Sequence, residues 1–217
     1  MNMRFNREVD IPLRDVRLRG ELIIPADATG IIIFSHGSGS SRYSHRNRFV
    51  ASRLHGHGLG TLLLDLLTPE EDMNYSNRFD IQLLTKRLVG AILWLEKQPD
   101  AADCRIGLFG ASTGAASAMR AAVLLPQIGA VVSRGGRPDM AFSDLSLLSA
   151  PTLLIVGGLD TQVLLYNRLA YAELGGIRKL EVVEGATHLF EEPGALNRVA
   201  ELAADWYEKH LLHTLVM

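Results

Sequence analysis

One cysteine, Cys104, stands in a chain of 217 residues. A single thiol rules out an internal disulfide framework. No Cys/His cluster has zinc spacing either, since His55 and His57 lack nearby partners, so no metal is expected. Neither is a cofactor. No apolar run approaches the roughly 18 residues of a membrane span. Met1 to Glu8 lacks the apolar core of a signal peptide, which makes a cytoplasmic setting the default expectation. Net charge is only −2, aromatics are 6% of the chain, and none interleave with cations as a single-strand binder requires, so nucleic acid is not an expected partner. Arg42, His45, Arg46, Arg48 and Arg53 do cluster, but they read as a solvated helix face. Repeats, low-complexity tracts and Pro/Gly-rich linkers are missing too. That leaves one compact domain over residues 1–217, with self-association as a homo-oligomer left open.

What the chain does have is 47% apolar residues, arranged as strand-like and helix-like segments in alternation. This is the pattern of a mostly parallel sheet covered by helices on both faces. Arg4 to Ile11 and Val16 to Ile24 read as an antiparallel pair. Further strands are expected at Ile31, at Thr61 to Asp65, at Cys104 to Phe109, at Ala130 to Val132, at Leu153 to Val156 and at Leu180 to Val183. Helices are expected at Arg46 to Leu54, Ile81 to Leu95, Ala115 to Leu125, Val163 to Leu174 and Leu196 to His210, with a polar loop at Thr68 to Asn77. No stretch is long enough for a large cap domain.

The most informative stretch is Gly110-Ala111-Ser112-Thr113-Gly114, between an apolar strand and an alanine-rich helix. A serine in a G-x-S-x-G pentapeptide sits on a strained strand-to-helix turn that projects its hydroxyl from the sheet. Such a nucleophile needs a base and a group to orient that base. Asp160 follows the strand Leu153 to Val156, and His188 follows the strand Leu180 to Val183. Serine, then acid, then histidine is the order found in α/β-hydrolases. Each residue would end its own strand at one edge of the sheet, where open α/β folds bind ligands. Donors for a developing oxyanion are expected from the backbone amides of Ser38, in the loop His36-Gly37-Ser38-Gly39, and of Thr113. His36 itself is expected to support its loop through hydrogen bonds.

These motifs, together with Gly158-Leu159-Asp160 and Gly185-Ala186-Thr187-His188, resemble the α/β-hydrolase superfamily over roughly residues 20 to 212, and most closely its small dienelactone hydrolase-like branch. Dienelactone hydrolases proper carry a cysteine at the elbow, where this chain has Ser112. The resemblance therefore implies a serine hydrolase, an esterase acting on small esters or lactones. Taken singly, Ser112 and Asp160 also read as helix caps and His188 as a structural histidine. Two other classes compete: an NADP-binding, Rossmann-like protein using the Gly107 to Gly114 turn, and a hydrolase fold that only binds a partner. Arg134 and Arg137, in Ser133 to Asp139, either clamp a substrate carboxylate or phosphate or pair with Asp139 and nearby carbonyls to stiffen the loop.

Overall fold

A computed structural model describes residues 2–212 of the chain. Eight strands form one sheet in the order β1-β2-β4-β3-β5-β6-β7-β8. They are β1 (Met3–Pro12), β2 (Arg17–Pro25), β3 (Gly30–Ser35), β4 (Leu59–Leu64), β5 (Arg105–Ala111), β6 (Ala130–Arg134), β7 (Thr152–Gly157) and β8 (Arg178–Val183). β2 pairs antiparallel with both β1 and β4, and every pair from β4 to β8 is parallel. The carboxyl ends of β3, β5, β6, β7 and β8 therefore share one edge.

Alternation along the strands decides which face each side chain meets. In β3, Ile31 and Ile33 join one core cluster with Leu84, Leu88 and Met119, while Ile32 and Phe34 join another with Val50, Leu54 and Val199. The first cluster lies under α3 (Ile81–Leu95) and α4 (Thr113–Leu124), the second under α1 (His45–Gly56) and α6 (Ala195–Tyr207). α5 (Thr161–Glu173) covers the β7 and β8 end. Full burial of each such Leu, Ile or Phe contributes about 1.5–3 kcal/mol relative to exposure. Tyr207 is fully buried too, and its hydroxyl donates to the Leu108 carbonyl of β5 at 2.6 Å, which ties α6 to the central strand.

Several segments differ from the sequence reading, among them the last helix, which gives way after Tyr207 to a π turn over Glu208–Leu212. Thr68 to Asn77 is not a plain loop: it holds the four-residue α2 (Pro69–Asp72) and a 3-10 turn, Tyr75–Phe79. Thr68 and Glu71 form a capping box there, with Pro69 in the first turn. A longer 3-10 segment spans Pro138–Leu147. β6 also runs two residues beyond Val132, because Ser133 and Arg134 keep their ladder partners on β5 and β7.

Candidate active site

At the end of β5 the backbone turns through Ser112 with φ +50° and ψ −121°, one of two non-glycine residues with positive φ among those described. Such a conformation costs of order 1–3 kcal/mol and persists only where its surroundings hold it. Here they do. The Ser112 amide donates to the Arg134 carbonyl at 3.2 Å, and its own carbonyl accepts from Ala115 at 3.1 Å and Arg137 at 3.0 Å. Close packing explains the flanking glycines. A methyl group on Gly110 would overlap the backbone of Ala115, and one on Gly114 would overlap the Ser35 carbonyl. Gly37 lies against Ser112 Cβ, with 3.1 Å available to a substituent, so the loop after β3 sits directly over the elbow.

Ser112 and Asp160 occupy the N-cap positions of α4 and α5, yet neither side chain makes a cap hydrogen bond. An Asp or Ser cap is worth about 1 kcal/mol to a helix. Asp160 forgoes that and takes the His188 Nδ1 hydrogen on Oδ2 at 2.6 Å. The loops that carry the pair are fastened to each other, Leu159 amide to Ala186 carbonyl at 3.0 Å and Gly158 amide to Val183 carbonyl at 2.9 Å. Asp160 keeps 14% of its side chain exposed and His188 37%, so the acid is screened while the imidazole reaches solvent. Thr187 donates to Glu192 Oε1 at 2.6 Å and steadies the His188 loop; that bond, foremost, holds the Glu192 carboxyl below its usual range. The imidazole of His188 lies beside Gly135, the residue after Arg134, whose carbonyl holds the Ser112 amide. Elbow and histidine thus flank the same end of β6.

His36 supports the loop after β3 through both ring nitrogens. Leu66 donates its amide to Nε2 at 3.1 Å, which leaves the hydrogen on Nδ1 for the Gly37 carbonyl at 2.9 Å. Burial pushes its pKa below 6.5, against the opposing effect of that carbonyl, so the ring is neutral. The Ser38 amide points at Thr113 Oγ1, 2.9 Å away. The Thr113 side chain, to which the sequence gives no task, therefore fixes the distance between loop and elbow. A crevice opens beside Ser38 and Gly39, bordered by Leu67 and by Arg78, which Asp72 grips with two bonds of 2.8 Å.

The two candidate clamp arginines part ways. Arg137 is gripped by both oxygens of Asp139, at 2.8 and 2.7 Å. Arg134 is a strand residue, not a loop residue, and is buried. The basic cluster is likewise engaged: Arg42 with Asp65, Arg46 with Glu191, Arg48 with Glu21, and Arg53 with Asn197. Among the described residues no group of three or more His, Cys, Asp and Glu side chains is placed to hold a metal ion, and no helix is long and apolar enough to cross a membrane.

Comparison with known proteins places the chain by family and fold. A model of the dienelactone hydrolase family matches residues 18–213. The crystal structure of a dienelactone hydrolase from Anabaena variabilis ATCC 29413 superposes with a TM-score of 0.93 at 51% identity, over 95% of this chain and 98% of that one. Est1E from Butyrivibrio proteoclasticus, solved with ferulic acid bound, superposes with a TM-score of 0.81 at 16% identity, over 94% and 99% of the two chains, and shares the fold. A protein of Mycobacterium tuberculosis strain H37Rv named as a candidate phosphoribosyl transferase is 54% identical over 208 residues. Those residues are 95% of this chain and 47% of that protein, so the chain spans about half the length of the curated relatives it matches. The fold is that of the α/β-hydrolases.

Proposed function

The chain belongs to the dienelactone hydrolase family, and from that membership we propose that it is a serine hydrolase cleaving small carboxylic esters or lactones through an acyl-enzyme. Ser112 attacks the carbonyl, the His188 Nε2 takes its proton and later returns it to the leaving group, and Asp160 holds the imidazolium. One observation carries this reading: two N-cap side chains are withheld from their helices, and one of them is spent on His188 at 2.6 Å.

The oxyanion is assigned to the Thr113 amide, in the first turn of α4, where amides lack intrahelical partners and the helix dipole is positive, and to the Ser38 amide, whose hydrogen it would share with Thr113 Oγ1. Family membership and the withheld caps favour this reading over NADP binding and over a partner-binding fold without chemistry. The transferase name of the mycobacterial relatives applies to proteins about twice as long, and we place that activity in the half that this chain does not match. The test is hydrolysis of p-nitrophenyl esters of graded length and of lactones by the wild type and Ser112→Ala. Turnover should vanish in the variant with its melting unchanged, and a variant keeping most of its rate would reject Ser112.

A further inference from the structure

β8 is the last strand of the sheet, and alternate residues along it turn their backbone away from β7. The Ile177 carbonyl accepts from the Thr152 amide at 2.8 Å and the Val183 carbonyl from the Gly158 amide at 2.9 Å, so the odd-numbered residues serve β7. The N–H and C=O groups of Arg178, Leu180 and Val182 therefore point outwards. Such an edge templates the pairing of another strand unless a proline, a bulge or an unanswered charge blocks it. Arg178–Val183 holds no proline, and its ladder with β7 runs without a register shift. At the opposite edge, by contrast, β1 breaks register between Met3 and Phe5.

The order of residues in β8 says which strand fits. Laid antiparallel on a second copy of itself and centred on Leu180, the strand sets Ile177 against Val183, Lys179 against Glu181 and Leu180 against its own counterpart. Arg178 then meets Val182, along which its aliphatic stem can lie. The backbone allows this same centre, because Leu180 exchanges both outward bonds with its counterpart and Arg178 does so with Val182. Lys179 and Glu181 become a non-hydrogen-bonded pair, in which facing side chains approach most closely. Within one chain these two already share a face of the sheet, Lys179 Nζ lying 2.6 Å from Glu181 Oε1, and the lysine side chain is 57% exposed. On the other face Leu180 and Val182 are only partly buried against Val163 and Leu164 of α5. Exposed Tyr171 of α5 stands over the same edge, its ring 5.2 Å from the Arg178 guanidinium carbon.

We propose that β8 is an interface for a second copy of this chain, paired antiparallel about Leu180 so that two eight-stranded sheets become one. Self-complementarity is what selects a second copy over an unrelated strand, since a two-fold interface sets each residue against its opposite number in both directions. The Lys179–Glu181 pair within each chain is exchanged for two such pairs between chains.

The test is the mass of the full chain by sedimentation velocity across the micromolar range. The wild type should sediment as a dimer. Lys179→Glu and Glu181→Lys each bring like charges face to face on both sides of the two-fold and should weaken association about ten- to a thousandfold. Mixed in equal amounts, the two variants should recover the dimer, because every facing pair is then opposite in sign; the double exchange within one chain should do the same. Hydrogen exchange locates the contact. The amides of Arg178, Leu180 and Val182 should be protected in the wild type and exchange freely in either single variant, while those of Lys179 and Glu181, which face β7, stay slow in both and report a folded strand. None of these readouts depends on ester hydrolysis. A monomeric wild type overturns the proposal, as does a dimer that survives both single reversals or leaves the Leu180 amide unprotected.

Discussion

Asp160→Asn separates chemistry from scaffolding more sharply than any other single replacement. The carboxylate stands 2.6 Å from His188 Nδ1 and is 14% exposed, so an effective dielectric near that of a protein surface applies. With charge centres about 4 Å apart and a dielectric constant of about 20, the carboxylate stabilises the imidazolium by about 4 kcal/mol. At about 1.4 kcal/mol per decade, neutralising it should cost roughly a thousandfold in kcat. Stability should barely change. The aspartate side chain does not cap α5, and asparagine is as good an N-cap as aspartate. The assay is steady-state hydrolysis of p-nitrophenyl acetate at pH 8 beside urea denaturation. A loss of less than about tenfold in a folded variant would show that the His188–Asp160 contact does not serve catalysis, because the Coulomb term would then be absent from the transition state.

Other expectations concern the scaffold. Gly114→Ala forces a methyl group onto the Ser35 carbonyl and should cost about 3 kcal/mol, as overpacking against immobile backbone does; a loss under about 1 kcal/mol in urea denaturation would mean that the elbow is looser than described. Tyr207→Phe removes the donor to Leu108 and leaves a buried carbonyl short of a partner, for about 1–3 kcal/mol, read as a shift in the urea midpoint. Bonds from Lys86 and then Arg87 lower the Asp15 pKa from 3.8 to about 2. The unfolded chain takes up that proton first, so the contribution of Asp15 is whole above about pH 3.8 and is lost as pH falls towards about 2. Asp15→Asn should flatten this part of the stability profile, and an unchanged acid limb would remove Asp15 from the account.

Much of the architecture was legible because the strands between β3 and β8 carry short apolar runs whose neighbours all lie in the same sheet. Ser112, Asp160 and His188 could be placed at one edge for the same reason, since each follows its own parallel strand. Less legible were features fixed by contacts distant in sequence. Arg134 reads as loop because it is charged and precedes two glycines, yet the ladders to Ala111 and Ile155 keep it in β6. Nothing local shows that it finds no carboxylate while Arg137 finds Asp139. The contact of the Ser38 amide with Thr113 Oγ1 spans 75 positions, and no periodicity reports it. The turns at Pro69–Asp72 and Tyr75–Phe79 were hidden by their polarity, although Thr68, Pro69 and Glu71 spell out a capping box.

The proposed chemistry depends on an activated Ser112 hydroxyl. Reaction with a fluorophosphonate probe, followed by peptide mass mapping, measures that property directly and needs no knowledge of the substrate. One adduct on Ser112, formed in step with loss of esterase activity and greatly slowed in Asp160→Asn, is the predicted result. An unmodified Ser112 in fully inactivated protein, or an adduct on another residue, would contradict it.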